Sequence, residues 1–294
     1  MKTYHFSSFN AALTLEPMDT RLAIFAVYTG FLVAELAAGH WRSRDIRRGD
    51  WLLDVFSTVA VALTGPTVVV VSATLLGAVA PRSEGALAEL PWWAMVGLLL
   101  IGDDLVQYAW HRTSHNVPVL YALHRAHHSA RYMSVQMMYR NNVFYYALMP
   151  SLWISGALVH LGLGSVYVGY AVLKLCIIAG AHSSVRWDAR LYEVRALRPL
   201  MWVLERVVST PSTHNMHHGR HADDGVTFYK GNYGNMLFLW DVLFGTARIT
   251  RKYPPSFGIE NLDDRPWQVE LMWPLVRADS ESTLEPRQSE RVDA

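Results

Sequence analysis

Histidine is the residue type in this chain whose number and spacing could do chemistry. Eight of its thirteen histidines fall into three short clusters, one of the form H-x-x-x-H and two of the form H-x-x-H-H. On an α-helix, residues three and four positions apart share a face, so each cluster can aim two or three imidazoles at one point. The clustered histidines are His111, His115, His124, His127, His128, His214, His217 and His218.

Imidazoles concentrated in this way indicate a metal site. Imidazole binds zinc, copper, iron and nickel, and a single zinc ion takes four ligands, so eight imidazoles predict two metal ions. Ligand type does not separate iron from zinc. Iron is favoured where oxygen is activated, and zinc where only a Lewis acid or a hydroxide is needed. The single cysteine, Cys176, excludes a cysteine-based zinc or iron–sulfur site.

The remaining histidines are weaker candidates. His221 lies three positions after His218 and could extend the face of the third cluster. His5, His40 and His160 stand alone in the sequence, and we predict that they are not ligands.

Two carboxylates are candidates to hold the metal-bound rings. A metal-bound imidazole usually donates its second N–H to a carboxylate, a carbonyl or water. Asp104 is spaced to share a helical face with His111 and His115, and Asp241 is the second candidate. The neighbouring Asp103 is expected to be a carboxylate at the membrane interface.

Long apolar runs are the elements that must position the clusters. Apolar residues make up 51% of the chain and charged residues 17%, below the usual charged share of about a quarter. A helix needs about 20 mostly apolar residues to cross the bilayer core. Such runs cover residues 22–39, 51–80, 91–110, 143–163 and 165–181. They predict an all-α membrane helical bundle of four to five segments, the last two forming a hairpin.

Loop charge indicates the orientation of this bundle. The loop after the first segment carries Arg42, Arg44, Arg47 and Arg48, whereas the next loop carries only Arg82, beside two glutamates. The N-terminus is therefore predicted outside and the first loop in the cytoplasm. With a returning hairpin, all three clusters form part of a cytoplasmic helical cap, and the C-terminus is cytoplasmic too.

One domain accounts for most of the chain. Residues 1–277 are predicted to form a single membrane-embedded unit, with its histidine-rich catalytic part at 102–250 and a disordered polar tail at 278–294. The N-terminus has no basic stretch ahead of a short apolar run, so the first run is predicted to be a retained membrane helix. The net charge of +1 gives no case for nucleic acid as a partner.

The clusters, in this order and beside membrane segments, resemble the fatty acid hydroxylase / sterol desaturase superfamily of integral membrane di-iron oxygenases. The resemblance covers residues 102–250, and the Thr-Pro-x-x-His form of the third cluster looks most like the bacterial alkylglycerol-monooxygenase-like branch. Its motifs are Asp104 seven positions before His111, Leu123-His124-Arg125-Ala126-His127-His128-Ser129, Ser209-Thr210-Pro211, Gly231-Asn232-Tyr233-Gly234 and Leu239-Trp240-Asp241-Val242-Leu243-Phe244-Gly245-Thr246.

The resemblance implies that the eight clustered histidines bind two iron ions, with zinc as a substitute in purified protein. It adds His182 as a ninth ligand, where family members carry a histidine before Ser or Thr. It implies an O2-dependent enzyme of the bacterial inner membrane that hydroxylates or desaturates an unactivated C–H bond of a lipid-like substrate. No Rossmann glycine fingerprint or haem-attachment motif is present, so electrons must come from a separate ferredoxin, cytochrome or reductase.

Two other functions are compatible with histidine clusters. A zinc-dependent membrane hydrolase needs a general base, and the H-E-x-x-H motif of many such enzymes is absent from the sequence. A carrier of haem or metal would place its ligands near the bilayer midplane, on broken helices. The clusters lie outside the apolar runs, which favours an enzyme.

Overall fold

The computed structural model describes residues 17–39, 46–47 and 49–277. Within these residues the chain is helical and contains no β-strand, as the apolar runs predict. The predictions that lie outside the described residues concern His5, His40, Arg42, Arg44, Arg48 and the tail 278–294.

The first two helices are α1, Pro17–Ala37, and α2, Asp50–Val79. The chain enters α2 through Gly49, whose φ of 90° lies in the left-handed region that suits glycine. Both helices expose apolar side chains, among them Phe25 and Leu63. Only 17% of the apolar window of α2 is buried inside the protein. The core helix of a soluble protein would be mostly buried, so this surface suits contact with lipid.

The first two clusters lie on a helical path that turns once. It begins with α3, Trp92–Leu99, continues through a π-helical segment, Leu100–Leu105, and ends with α4, Val106–Asn116. Val117 is extended, and α5, Pro118–His128, then starts with proline in its first turn. The predicted break at Pro118 is confirmed, and it brings the two clusters face to face.

The predicted hairpin consists of several helical pieces. They are α6, Val143–Ala147, α7, Pro150–Leu158, a π-helical segment, Val159–Leu163, and α8, Gly164–His182.

The hairpin bends at Gly162, which has a φ of 113°. A Cβ atom at this position would lie 2.8 Å from the backbone nitrogen of Ala88, so glycine is required for conformation and for space. At the bend, the carbonyl of His160 accepts a hydrogen bond from the N–H of Gly85, at 3.0 Å. The bend therefore lies beside the loop between α2 and α3, at the end of the bundle opposite His182.

The cap is built from five short helices. Its third helix starts with a capping box between Thr210 and Thr213, at the position that Pro211 predicts. The five helices are α9, Trp187–Glu193, α10, Arg198–Val207, α11, Pro211–His217, α12, Leu239–Leu243, and α13, Trp267–Met272.

By length and composition, two segments of the described chain could cross a membrane. They are Asp50–Val79 and the bent segment Val143–His182, while Leu22–Ala37 is a shorter apolar helix. The number of four to five membrane segments and the cytoplasmic position of the cap remain predictions.

Charged residues within the apolar runs are buried and have partners. The Glu35 carboxylate, near the end of α1, accepts hydrogen bonds from Ser134 Oγ, at 2.6 Å, and from the N–H of Ser184, at 2.9 Å. The expectation that Asp103 lies at the membrane interface is wrong. Asp103 is buried, and the Nζ atom of Lys174 on α8 lies 2.5 Å from its carboxylate. The facing lysine satisfies the carboxylate inside the bundle, so it need not reach water.

Candidate metal centre

The nine histidines named from the sequence come together in two groups at one end of the bundle. Within each group, one nitrogen from every ring lies within 4.8 Å of all the others. The five-histidine group consists of His111, His115, His124, His128 and His217. The four-histidine group consists of His127, His182, His214 and His218.

Each H-x-x-H-H cluster divides its rings between the two groups. In α5, His124 and His128 belong to the five-histidine group and His127 to the four-histidine group. The third cluster has the reverse arrangement, because its middle histidine, His217, belongs to the five-histidine group. Successive residues of a helix are turned by about 100°, so i+4 lies about 40° to one side of i and i+3 about 60° to the other. Of the two or three imidazoles that each cluster could aim at one point, the structure brings two into the same group.

Neighbouring ring nitrogens within the groups lie 2.9–3.3 Å apart. A metal–nitrogen bond of about 2.1 Å places adjacent ligand atoms about 3.0–3.4 Å apart in octahedral or tetrahedral geometry. The nitrogens are thus spaced as the ligands of one ion in each group. The two groups adjoin, since the ring centroids of His128 and His218 are 4.4 Å apart.

The protonation of two facing rings tests whether a metal fits. Nδ1 of His111 lies 2.7 Å from the carbonyl of Tyr233, and Nδ1 of His217 lies 2.7 Å from the carbonyl of Gly231. A carbonyl can only accept, so both Nδ1 atoms carry hydrogen and both Nε2 atoms of the neutral rings are bare. These bare Nε2 atoms lie 3.1 Å apart, where a cation between them removes their repulsion.

Burial keeps the clustered rings neutral. It lowers the pKa of His111 to about 4. The pKa values of the other clustered histidines lie well below their usual range, mainly because the rings are buried and to a smaller extent because neighbouring rings repel a positive charge. Only neutral imidazole binds a metal, so the site is ready for metal at neutral pH.

An unpartnered ring nitrogen also indicates that a metal ion fits the site. Nε2 of His115 is buried and has no hydrogen-bond partner among the residues that the structure describes. A buried polar atom without a partner is costly unless something binds it. A metal ion in the five-histidine group would give this nitrogen the partner that it lacks. The residues present therefore fit such an ion.

Backbone carbonyls and one amide hold the rings in place, and sequence reasoning did not identify them. Besides Tyr233 and Gly231, the carbonyl of Ile178 accepts from Nδ1 of His182 at 2.8 Å. Asn141 Oδ1 lies 2.8 Å from Nδ1 of His124. The Gly231-Asn232-Tyr233-Gly234 motif was visible in the sequence, but its spacing did not reveal that its carbonyls face the histidines.

Within the described residues, neither of the two carboxylates singled out in the sequence accepts a hydrogen bond from a histidine ring, and only Asp241 acts on a ring through an intermediate residue. Asp241 accepts hydrogen bonds from the N–H groups of Tyr233, at 2.9 Å, and Gly234, at 2.6 Å, and so orients the segment whose carbonyl binds His111. Burial raises the pKa of Asp241 to about 6. Asp104 accepts from the indole N–H of Trp240 at 2.8 Å, which anchors α12 to the bundle.

The two other histidines that the structure describes lie outside both groups. His221 is 39% exposed, and its Nδ1 lies 3.3 Å from a carboxylate oxygen of Glu260. His160 is buried at the bend of the hairpin, where its Nε2 lies 3.3 Å from the hydroxyl of Ser83.

A buried ionic network supports the segment that carries Asn141. The guanidinium of Arg140 is fully buried and contacts Asp54 at 2.7 Å and Asp50 at 3.1 Å, both on α2. It also donates to the hydroxyl of Tyr132 at 3.0 Å. These contacts tie the chain after the second cluster to α2, and they fix the position from which Asn141 reaches His124.

Similarity to known proteins agrees with this geometry. The fatty acid hydroxylase family matches residues 96–246, the segment that carries all nine histidines. No solved structure shows a significant match to the chain.

Curated relatives come from several organisms. An alkylglycerol monooxygenase from Danio rerio is 32% identical over 162 residues, which cover 54% of this chain and 32% of the relative. One from Xenopus tropicalis is 26% identical over 244 residues, covering 79% of this chain and 48% of the relative. A fatty acid hydroxylase from Lecanicillium sp is 28% identical over 174 residues, covering 55% of this chain and 45% of the relative.

The chain spans about a third to a half of the length of these relatives. The family match, by contrast, covers more than half of this chain, and the structure brings the histidines of that segment into two adjoining groups. This chain belongs to the fatty acid hydroxylase family.

Proposed function

We propose that this protein is a membrane-bound di-iron oxygenase that uses O2 to hydroxylate or desaturate an unactivated C–H bond of a lipid. The observation that carries the proposal is the pair of adjoining all-imidazole groups, with bare ring nitrogens facing each other at 3.1 Å. Two iron ions held there would supply the oxygen-activating redox chemistry that such a reaction needs.

The chain's own contribution is ligation, orientation and exclusion of water. Burial keeps the imidazoles neutral, and the carbonyls of Gly231 and Tyr233 fix the ring orientations of His217 and His111. Ligands fixed in this way need little rearrangement when a metal binds. The two groups contain histidine alone. A metal-hydroxide hydrolase also needs a general base, so the all-imidazole composition favours an oxygenase over that alternative.

The names of the relatives and the surface of the protein support a lipid as the substrate. Alkylglycerol monooxygenases are among the proteins most similar to this chain, so we propose an alkylglycerol or a similar single-chain lipid. The apolar outer faces of α1 and α2 suit a bilayer, from which such a lipid would enter between helices. We place the protein in a bacterial inner membrane, with the metal centre and C-terminus on the cytoplasmic side.

Electrons would come from a separate donor protein, a ferredoxin, a cytochrome or a reductase. Part of the centre belongs to the cap, because His214 and His217 lie on α11 and His218 is its C-cap residue. A water-soluble donor would therefore approach the centre through the cap.

The experiment that tests the proposal uses purified full-length protein loaded with iron. It would be supplied with a chemical reductant, an alkylglycerol and isotopically labelled O2. Mass spectrometry should find one labelled oxygen atom in the product if the enzyme hydroxylates, and an unlabelled alkene if it desaturates. Turnover by the zinc-loaded protein without O2 or reductant would instead identify a hydrolase.

A further inference from the structure

The cap helix α10, Arg198–Val207, has an outer surface that no described part of the chain covers. Leu200, Val203 and Val207 follow one another at intervals of three and four residues, so they form an apolar strip along the helix. All three side chains are exposed. Single exposed apolar side chains are common, but a continuous strip indicates a surface that something apolar covers in the working protein.

A basic strip runs beside the apolar one. Arg198, Trp202 and Arg206 are spaced four residues apart, on the neighbouring face of α10. The guanidinium of Arg206 lies 4.1 Å from the centre of the Trp202 ring, in a cation–π contact. Glu205, the one acidic residue of α10, is fully buried and forms ion pairs with Arg206 and Arg251, each at 2.7 Å. The exposed surface of α10 therefore carries positive charge and no carboxylate.

The apolar strip lies on the side of α10 that is nearest to α1. Leu204, on the flank of the strip, lines an apolar cavity together with Ala34 of α1. Val33 and Leu36, close to Ala34 on α1, are exposed apolar residues. The apolar strip of α10 thus continues the surface of α1 that suits contact with lipid.

A second cap helix, α12, shows how deep this part of the cap lies. Its Trp240 donates the indole N–H to the carboxylate of Asp104, at 2.8 Å. Asp104 lies seven residues before His111, and seven residues of helix span about 10 Å. The start of α12 therefore lies closer to the middle of the bundle than His111 does, beside the apolar run 91–110.

At this level the outer surface is apolar. The exposed side chains at the end of α12 are Val242, Leu243 and Phe244. Ile101, three residues before Asp104, is exposed on the bundle itself. Helix α10 is joined to this region, because the N–H of Ser209 binds the carbonyl of Met236, at 3.0 Å. The exposed faces of α10 and α12 are therefore continuous with the lipid-facing surface of the bundle.

We propose that α10 and α12 lie in the headgroup layer of the bilayer, with the apolar strip in lipid and the arginines bound to the phosphates of anionic phospholipids. The inference rests on the membrane location proposed above and is independent of the oxygen chemistry. A basic helix with one apolar face is typical of helices that lie in the membrane surface, and arginine reaches the headgroups from such a position. Arg190 and Arg195, just before α10, are exposed and extend the positive surface, with Glu193 as the exposed acidic residue between them.

The accessibility of a nitroxide spin label tests this placement. Val203→Cys would be labelled in a Cys176→Ser background, in purified full-length protein reconstituted in vesicles of phosphatidylcholine and phosphatidylglycerol. Electron paramagnetic resonance measures the collisions of the label with O2, which concentrates in lipid, and with a water-soluble nickel complex. We expect the label at position 203 to collide with O2 and to be protected from nickel. Glu260→Cys, at an exposed position of the cap outside both strips, should instead collide with nickel.

Two results would overturn the proposal. Collisions of the label at position 203 with nickel would place this face in water. Protection from both agents would show that protein covers it, either a second copy or another segment of this chain. A label at Leu63→Cys, on the exposed face of α2, tests the membrane location separately, because it should be protected from nickel whatever the position of α10.

A quenching experiment tests the preference for anionic lipid. A fluorophore on Val203→Cys would be exposed to phosphatidylglycerol or phosphatidylcholine with brominated acyl chains, which quench on contact. We expect phosphatidylglycerol to quench more strongly, and Arg198→Gln to lower its relative affinity by up to about fivefold, the effect of one arginine near an anionic surface. Arg82→Gln, an exposed arginine at the opposite end of the bundle, should change nothing. Equal quenching by the two lipids in the unsubstituted protein would refute the anionic site.

Discussion

The Nε2 atoms of His111 and His217 lie 3.1 Å apart, although 106 positions of the chain separate the two residues. Each ring donates its other N–H to a backbone carbonyl, so two lone pairs face each other. A metal ion between the two nitrogens would remove their repulsion, so we expect metal binding to stabilise the fold. The predictions below rest on this coupling and on the contacts around it.

Metal stoichiometry should reflect the division into two groups. We expect about two iron ions per chain after expression in iron-supplied cells, measured by elemental analysis. His214→Ala, which removes a ligand of the four-histidine group, should lower the content to about one. His221→Ala should retain two ions, because that residue is exposed and lies outside both groups. A wild-type content near one would refute the two-ion site.

His182 and His160 form a matched pair, since both are buried histidines of the bent segment Val143–His182, one at its C-terminal end and the other at its bend. His182→Ala should lose activity together with the iron of the four-histidine group. His160→Ala should keep both, because its ring contacts Ser83 and not the other histidines. Full activity and two ions in His182→Ala would remove this residue from the ligand set.

Adjacent asparagines separate a role in metal binding from a role in folding. Asn141→Ala removes the partner of His124 Nδ1, and iron affinity should fall about 10- to 100-fold. Asn142 is the N-cap of α6, so Asn142→Ala should lower the free energy of unfolding by about 0.5–2 kcal/mol and leave iron affinity unchanged. Competition with a chelator and thermal unfolding would measure the two effects. Equal iron affinities in the two variants would contradict the assignment.

The metal-free protein should lose stability as the pH falls below about 6.5. Burial depresses the pKa of His111 to about 4, and the other clustered rings are lowered as well, so below the ordinary histidine pKa of about 6.5 the unfolded chain binds more protons than the folded chain. Each such ring contributes up to about 1.4 kcal/mol per pH unit. Asp241, with its raised pKa, has the opposite effect but is outnumbered. Thermal unfolding in detergent at a series of pH values would show the loss, and a flat profile would contradict it.

Labelling with a membrane-impermeant thiol reagent tests the orientation. In a Cys176→Ser background, Asp264→Cys near the histidine end should react only from the cytoplasmic side. Glu89→Cys, in the loop beside the hairpin bend, should react only from the opposite side. Both native side chains are exposed, so access does not limit the reaction. Labelling of both positions from one side would show that α2 and the segment 91–110 do not cross the membrane.

Much of the helical framework could be predicted from sequence because its signals are local. Pro118 cannot continue a helix from Asn116, and Pro211 after Ser209-Thr210 starts one, so both boundaries were predictable. The bend of the hairpin was likewise predictable at the junction of two apolar runs, where Gly162 and Gly164 lie. The spacing of the eight clustered histidines indicated that they come together, whereas His182 was predicted only from the family resemblance.

The contacts between distant segments could not be predicted. One example is the ion pair between Arg140 and Asp54, and another is the pair between Asp103 and Lys174. Each pair forms only because two segments that are distant in sequence face each other at the same level of the bundle. The carbonyls that hold His111 and His217 are backbone atoms, which leave no trace in residue type. The division of the nine histidines into groups of five and four follows from helix rotation and from the packing of helices that are distant in sequence.

The division of ligands between the groups also has a consequence for biosynthesis. His111, His115, His124 and His128 supply four members of the five-histidine group and emerge from the ribosome early, whereas the other group then has only His127. The four-histidine group is complete only after the hairpin has been inserted and α11 has been translated. We therefore expect the ions to be acquired in sequence during maturation, and a nascent chain stalled before residue 182 to hold one ion at most.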